Sequence, residues 1–262
     1  MDAIITAVIV VCSIGILCAV MLVVAAKFFA VEEDERAKQI RECLPGANCG
    51  ACGYAGCDGY AKALAEDGVK TNLCIPGGDG TAKNISEILG VEFEDVIEKV
   101  AVIHCHGDCE HTSNKMDYIG IQSCEAAKTL YGGKGKCSYG CIGLGDCVKV
   151  CTNDAICIKN GIAHIDTRKC GGCGLCAKTC PQKLISVENA TEKVAVLCSN
   201  KEKGAVVRKK CTAGCIGCKK CEKNCPAGAI TVVDNLAHID YEKCTSCGEC
   251  VKNCPVGCIV EL

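Results

Sequence analysis

The sequence predicts an α+β protein of small, cysteine-rich domains behind one N-terminal transmembrane helix, and three observations lead to this prediction. Thirty of the 262 residues are cysteine. An uncharged apolar segment stands near the N-terminus, and a cysteine-rich region of the chain occurs twice. Aromatic residues make up only 3% of the chain and tryptophan is absent, so we expect no large apolar core and another source of stability.

The spacing of the cysteines favours metal ligation over disulfides. Cysteines in close runs, such as Cys170, Cys173 and Cys176, cannot all reach well-oriented disulfide partners. Thiolates around a metal centre tolerate such spacing. Metal binding can supply folding free energy on the order of 10 kcal/mol. We therefore expect a fold that bound clusters stabilise and that is largely unfolded without them.

The N-terminal segment has the length and composition of a transmembrane helix. Residues Ala3 to Ala26 include no charged residue, and 24 residues in a helix span roughly 36 Å, enough for the apolar part of a bilayer. Basic residues follow the segment from Lys27 onward and none precedes it, so the positive-inside rule predicts a cytoplasmic soluble part. A cleaved signal peptide is the alternative, but it would have basic residues first and a shorter apolar stretch. We expect a single-pass anchor at residues 1–30, in the cytoplasmic membrane.

The first soluble domain, expected at residues 31–90, contains the run LPGANCGACGYAGC. Three of its cysteines follow a C-x2-C-x4-C spacing, and a fourth comes after sixteen intervening residues. Four thiolates separated by glycines suit one 4Fe–4S cluster, because small residues let backbone N–H groups approach the sulfurs. A zinc site is the alternative. The predicted ligands are Cys49, Cys52, Cys57 and Cys74.

The region from Cys141 to Cys180 recurs, at a constant offset, from Cys215 to Cys254. Each copy has two cysteine loops separated by two short β-rich runs. The residues between the runs, Asn160-Gly161 and Asp234-Asn235, predict a tight hairpin in each copy. We expect two tandem bacterial-type double-cluster domains. Their expected boundaries are 137–190 and 191–262, with a connecting segment at 91–136 between them and the first domain.

Three loops follow the pattern C-x2-C-x2-C-x3-C-P, and they begin at Cys170, Cys215 and Cys244. In this pattern three cysteines bind one 4Fe–4S cluster and the fourth binds the other cluster of the pair. The last copy then contains two complete ligand sets. They are Cys215, Cys218, Cys221 with Cys254, and Cys244, Cys247, Cys250 with Cys225.

One loop of the middle copy departs from the pattern, because Leu144 stands where the last copy has Cys218. Cys137 lies four residues before Cys141, and we expect it to supply the missing thiolate. The chain would then bind five 4Fe–4S clusters and would have no catalytic residue apart from these cysteines. The predicted sets of the middle copy are Cys170, Cys173, Cys176 with Cys151, and Cys137, Cys141, Cys147 with Cys180.

Together these features resemble the B-subunit family of the Rnf complex, an ion-translocating ferredoxin:NAD oxidoreductase. The resemblance rests on LPGANCGACGYAGC behind a single N-terminal helix, on CSYGCIGLGDC and on the three ferredoxin-type loops. It implies a subunit that accepts electrons from reduced ferredoxin and passes them to membrane subunits, while other subunits bind flavin and NAD. This chain has no G-x-G-x-x-G fingerprint between a strand and a helix, in agreement with that division.

Two other functions stay open at this point. One is a membrane polyferredoxin that serves a hydrogenase or another dehydrogenase, and the other is a cluster-based redox sensor. A sensor needs one labile cluster and an output, but the sequence has no DNA-binding motif, and its net charge of −2 predicts no nucleic-acid partner. Five further cysteines have no assigned role. They are Cys105, Cys109, Cys124, Cys198 and Cys211.

A basic stretch runs from Lys201 to Lys223, with eight basic and two acidic residues and hence a local charge of +6. Ferredoxins are typically acidic, and complementary fields accelerate encounter. The stretch is therefore a candidate docking surface for reduced ferredoxin. The alternative is a solvated face that offsets the negative charge of nearby clusters.

Overall fold

The computed structural model describes residues 2–28, 34–66 and 68–262. The helices are α1 (Asp2–Phe28), α2 (Glu35–Cys43), α3 (Gly56–Ala65), α4 (Gly78–Leu89), α5 (Cys124–Tyr131), α6 (Asp146–Lys149), α7 (Leu175–Thr179), α8 (Gly204–Lys210), α9 (Lys220–Lys223) and α10 (Glu249–Lys252). The strands are β1 (Lys99–Ile103), β2 (Ile156–Lys159), β3 (Ile162–Ile165), β4 (Ile185–Asn189), β5 (Val194–Val196), β6 (Ile230–Val233), β7 (Leu236–Ile239) and β8 (Ile259–Glu261).

Helix α1 contains a segment, Ile4–Ala25, that is long and apolar enough to cross a membrane, with a mean hydropathy of 3.1. None of its most apolar window is buried against the rest of the chain. A water-soluble domain rarely leaves so large an apolar surface uncovered, so the exposure suits a lipid environment. The predicted boundary between the anchor and the first domain, at residues 30 and 31, lies outside the described residues.

Three helices, α2, α3 and α4, pack together in the first domain. Its most deeply buried side chains are Ile40, Tyr60, Leu64 and Ile85. The Tyr60 hydroxyl donates to the carbonyl oxygen of Lys70 at 2.7 Å and accepts the N–H of Leu73 at 3.3 Å. These bonds fix the loop that leads to Cys74 against α3.

The two copies of the repeat contain the same hairpin. Strand β2 pairs antiparallel with β3, and β6 pairs antiparallel with β7, which confirms both predicted hairpins. The turn residues Asn160-Gly161 and Asp234-Asn235 all have positive φ, between 47° and 81°. A two-residue type I′ turn requires such values, and asparagine, aspartate and glycine tolerate them best.

Each copy also contains a second two-stranded sheet. In the last copy β5 pairs with β8, and in the middle copy β4 pairs with β1, which places Lys99 opposite Asn189 and Ile103 opposite Ile185. Strand β1 belongs to the segment at 91–136 that the sequence predicts as a connection. That segment therefore also supplies a strand to the middle copy.

Buried apolar side chains form five separate groups in the described part of the chain, and each group includes at least one cysteine. In the last copy, for example, Val194, Leu236 and Ile259 surround Cys215 and Cys221. The apolar contacts thus enclose the thiols instead of forming one large core, as the low aromatic content predicts.

Candidate iron–sulfur sites

Four thiols of the first domain line one cavity of about 310 Å³. They are the predicted ones: Cys49, Cys52, Cys57 and Cys74. Asn48 shapes the loop, because its Oδ1 accepts the backbone N–H of Cys57 at 2.8 Å. Gly56 has a φ of +85°, and a Cβ there would lie 2.9 Å from Asn48 Oδ1, so this position needs glycine. The structure brings the predicted set together.

Burial makes one of these thiols, that of Cys74, hard to ionise on its own. It raises the pKa of the Cys74 thiol to about 11, and the neighbouring thiols of Cys57 and Cys52 add to the rise. Such a thiol is protonated at neutral pH unless a cation binds it, and a coordinating metal deprotonates a thiol outright. The Cys74 thiolate therefore fits this cavity together with a metal centre such as a cluster.

The second predicted set is also brought together; it is Cys151, Cys170, Cys173 and Cys176. Backbone N–H groups point at two of its sulfurs. The N–H of Ala101 lies 3.3 Å from Cys170 Sγ, and the N–H of Ala155 lies 3.4 Å from Cys151 Sγ. Hydrogen bonds to the sulfurs tune the potential of iron–sulfur clusters, so this set has the surroundings that a cluster site needs.

The other set of the middle copy differs from the prediction. Its cavity of about 370 Å³ is lined by Cys141, Cys147, Cys180 and Cys124. Burial raises the pKa of Cys147 to about 12, and the thiols of Cys141, Cys124 and Cys180 add to the rise. Cys124 therefore stands where we expected Cys137. This placement favours Cys124 over Cys137 in the set, since Cys137 lines a different cavity.

Hydrogen bonds at the start of α5 explain the position of Cys124. The preceding residue, Ser123, donates from Oγ to Asp146 Oδ2 at 2.8 Å, and the same oxygen accepts a backbone N–H from the first turn of α5 at 3.0 Å. Asp146 directly precedes Cys147 in the cysteine loop, so these bonds hold Cys124 beside the loop. Leu144 packs against the apolar group that includes Cys124.

In the last copy, most thiols of each predicted set lie near one another. Cys221 lies near Cys215, Cys218 and Cys254. Cys250 lies near Cys244 and Cys225, and Cys247 is exposed in the same loop. The N–H groups of Ala229 and Ser246 lie 3.3 and 3.4 Å from Cys225 Sγ and Cys244 Sγ.

Cys258 is a buried thiol beside one of these sets, and its spacing predicts no role. Its side chain is 1% exposed, and its Sγ lies 3.7 Å from Cys254 Sγ. Hydrogen bonding with Cys258 lowers the pKa of Cys215 to about 6 and that of Cys254 to about 5. The offset between the copies places Leu184 at the equivalent position of the middle copy, so only the last copy has this donor.

The arrangement of the thiols favours clusters over single zinc ions. Zinc binds thiolates at about 2.3 Å, which gathers four sulfurs around one point. In the first domain and in one set of the middle copy, the thiols line a cavity instead, as a cuboidal cluster with four cysteine ligands requires.

The spacing of cysteines within the loops does not predict Cys124 as a candidate ligand, but the repeat offset in the sequence points to it. Cys124 and Cys198 are separated by the same offset as Cys141 and Cys215, and so are Cys137 and Cys211. The repeat therefore extends upstream of Cys141 to a cysteine on a neighbouring segment. This longer repeat shows that both copies have more thiols than two clusters need.

Family models for iron–sulfur proteins match three parts of the chain. A model described as "Putative Fe-S cluster" matches residues 44–76, and one described as "4Fe-4S binding domain" matches residues 163–186. A "4Fe-4S dicluster domain" model matches residues 214–258. These matches cover the first site and parts of both copies.

Curated relatives match most of the chain. The B subunit of the Na⁺-translocating ferredoxin:NAD⁺ oxidoreductase complex of Acetobacterium woodii is 40% identical, over 88% of this chain and 69% of its own length. The B subunit of the ion-translocating oxidoreductase complex of Methanosarcina acetivorans is 41% identical, over 93% of this chain and 92% of its own. The B subunit of the proton-translocating ferredoxin:NAD⁺ oxidoreductase complex of Clostridium ljungdahlii is 41% identical, over 93% and 87%. This chain belongs to the family of B subunits of ion-translocating oxidoreductase complexes, the Rnf complexes.

Proposed function

We propose that this chain accepts electrons from reduced ferredoxin and relays them through five 4Fe–4S clusters to the membrane subunits of its complex. The observation that supports this most directly is the succession of thiol sets, which continues from the first domain through both copies of the repeat. Other subunits would bind flavin and NAD. The soluble part would lie in the cytoplasm, held at the membrane by α1.

The proposed ligand sets follow the positions of the thiols. Four sets agree with the loop spacing, and in the fifth Cys124 takes the place of Cys137. In each copy the fourth ligand comes from the opposite loop, which ties the two clusters of a pair into one small body. The sets are Cys49, Cys52, Cys57, Cys74; Cys151, Cys170, Cys173, Cys176; Cys124, Cys141, Cys147, Cys180; Cys215, Cys218, Cys221, Cys254; and Cys225, Cys244, Cys247, Cys250.

Contacts between the first domain and the middle copy support an electron path between them. Lys178 Nζ donates to the carbonyl oxygen of Cys49 at 2.6 Å. Burial raises the pKa of Cys173, and the thiol of Cys49 adds to the rise, so two cluster sites meet here. Because α2 begins shortly after α1 ends, we propose that electrons leave for the membrane subunits from the first domain.

The most available part of the basic stretch is on α8. Arg208 and Lys209 are exposed, with Val207 buried beneath them, and neither forms an ion pair within the described ranges. Lys210, by contrast, pairs with Glu202 at 2.6 Å. We propose that Arg208 and Lys209 attract an acidic ferredoxin and that electrons enter in this region.

Bound clusters would accept and release one electron at a time. NAD⁺ takes two electrons and one proton when it becomes NADH, so two electrons pass along this chain for each NADH formed on another subunit. The chain's own residues need no proton donor for this role. They bind the clusters, exclude water and set the potentials through N–H···S bonds, burial and charge.

Ferredoxin-dependent NAD⁺ reduction by the anaerobically purified membrane complex tests the proposal. Cys52→Ala removes a ligand of the first site and is expected to abolish most of the activity and to lower the iron content. Cys157→Ala, at an exposed cysteine of β2, is expected to change neither. Wild-type activity in the Cys52→Ala complex would contradict the proposed path.

A further inference from the structure

A further cavity, between the two copies, is lined by four cysteines that none of the five sets includes. They are Cys105, Cys137, Cys198 and Cys211. Its space, part of which is open to solvent, is about 370 Å³, the same as for the cavity around Cys141 and Cys147. Four thiols also line the cavities at two of the proposed cluster sites, the one in the first domain and the one around Cys141.

The four cysteines come from separate parts of the chain. Cys105 follows β1, and Cys137 lies ahead of the first loop of the middle copy. Cys198 and Cys211 lie on either side of α8 in the last copy. Hydrogen bonds join these parts: Thr112 Oγ1 donates to the carbonyl oxygen of the residue before Cys211 at 2.6 Å. The cavity therefore lies where the copies meet.

Hydrogen-bond donors surround the sulfurs of this cavity. Asn200 is 1% exposed, and it donates from its backbone to Cys198 Sγ and from its side-chain amide to Cys137 Sγ, both at 3.5 Å. Cys105 Sγ accepts the N–H of Cys141 at 3.3 Å. N–H···S bonds of this kind are the protein's means of stabilising a charged cluster.

The fourth sulfur has donors of its own and a glycine beside it. The backbone N–H groups of Ala213 and Gly214 lie near Cys211 Sγ. A Cβ at Gly107 would lie 2.9 Å from Cys211 Sγ and 4.0 Å from Cys105 Sγ. Glycine at position 107 therefore keeps open the place that a cluster needs, since a larger side chain would project into it.

We propose that Cys105, Cys137, Cys198 and Cys211 bind a sixth 4Fe–4S cluster that joins the two double-cluster copies. The role of this cluster in electron transfer rests on the proposed function. The ligand set itself rests on the cavity, on the donors to its sulfurs and on the space that Gly107 leaves.

Backbone hydrogen bonds connect this site to a proposed cluster site on each side. The N–H of Cys141 donates to Cys105 Sγ, and the N–H of Cys215 donates to Cys198 Sγ, both at 3.3 Å. Cys141 and Cys215 are ligands in the flanking sets. One hydrogen bond thus separates a ligand of the sixth cluster from a ligand of either neighbour. An electron that arrives from one neighbour leaves to the other, so the step needs no further reactant.

Iron and acid-labile sulfide counts on the anaerobically isolated full chain test the sixth cluster. Six clusters give about 24 iron atoms per chain and five give about 20. The double variant Cys198→Ala/Cys211→Ala is expected to lose about four iron atoms and as many sulfides. Gly107→Val, which fills the space without removing a ligand, is expected to lose the same number. Cys109→Ala is the matched control, because Cys109 is exposed and does not line the cavity.

The wild-type count does not depend on whether a variant folds. A wild-type chain with about 20 iron atoms would overturn the sixth cluster and leave the five-cluster path standing. One zinc per chain that disappears in Cys198→Ala/Cys211→Ala would also overturn it. A wild-type chain with no iron or sulfide would instead overturn the proposed function.

Discussion

The middle and last copies of the repeat have the same strand pairing but obtain their thiols differently. In the last copy, both predicted sets come entirely from the two cysteine loops. In the middle copy Leu144 occupies one loop position, and Cys124 from α5 lines the cavity instead. The comparison teaches that a thiol from a neighbouring segment can line the cavity when the loop position has no cysteine.

The counterpart of Cys124 in the last copy is Cys198. Because the last copy keeps Cys218 in its loop, Cys198 is not needed for that copy's own sets. It lines the cavity between the copies together with Cys105, Cys137 and Cys211. One position of the repeat thus lines two different cavities in the two copies, and the same copies differ at the Leu144 or Cys218 position.

Cys124→Ala is expected to have the largest effect, because it removes a ligand in the middle of the proposed path. The iron content should fall by between about one and about four atoms per chain, according to whether the cluster is damaged or lost. Ferredoxin-dependent NAD⁺ reduction should fall to a small fraction of the wild-type rate. Iron analysis and the activity assay check both outcomes.

A second substitution in the middle copy is expected to compensate for the loss of Cys124. The double variant Cys124→Ala/Leu144→Cys recreates the loop of the last copy, and it is expected to recover iron and activity. Full iron content in Cys124→Ala alone would contradict the placement of Cys124 at this site and would restore the spacing-based set with Cys137.

Charge reversal on α8 is expected to have an intermediate effect. It tests a second difference between the copies, which is their local charge. Residues 201–223 have a charge of +6, whereas residues 127–149, one repeat length earlier, have four basic and one acidic residue and a charge of +3. Arg208→Glu/Lys209→Glu should slow reduction by ferredoxin on the order of tenfold at low ionic strength. The difference should shrink as salt screens the charges.

Lys134→Glu/Lys136→Glu is the control for this experiment, because it makes the same change of charge near the equivalent place in the middle copy. Stopped-flow reduction at several salt concentrations measures both variants. If the two slow the reaction equally, or if the effect of the α8 variant does not depend on salt, the docking surface is not on α8.

Local features of the fold were predictable from the sequence. The hairpins follow from Asn160-Gly161 and Asp234-Asn235, since a turn of two residues depends on their own φ preferences. The spacing of cysteines within one loop likewise predicted which of their thiols lie close together. In the first domain even the position of Cys74 beside the loop was predictable, because a short chain segment brings it back.

Features that depend on packing between distant segments were not predictable from loop spacing. The pairing of β1 with β4 joins segments that lie far apart in the chain, and Cys105 and Cys211 approach one cavity from different copies. Cys124 reaches its cavity because Asp146 bonds the start of α5. The sequence indicates one of these features, the position of Cys124, through the repeat offset that relates Cys124 to Cys198.

Replacement of Cys258 is expected to have the smallest effect, on potential and not on cluster content. Cys258 Sγ lies 3.7 Å from Cys254 Sγ, and hydrogen bonding with Cys258 lowers the pKa of the Cys215 and Cys254 thiols, whereas the middle copy has Leu184 in its place. Hydrogen bonds to sulfur favour the reduced, more negative cluster. Cys258→Ala should therefore lower the potential of this cluster by a few tens of millivolts, since a difference on the order of 1 kcal/mol corresponds to about 40 mV for one electron.

Two further variants separate hydrogen bonding from packing at this position. Cys258→Ser keeps a donor and should leave the potential closer to the wild-type value than Cys258→Ala does. Leu184→Cys adds a donor to the middle copy and should raise the potential of the cluster at Cys180. Redox titration followed by electron paramagnetic resonance measures all three. If the Ala and Ser variants shift the potential equally, the thiol of Cys258 acts by filling space, and hydrogen bonding to sulfur does not set the two copies apart in potential.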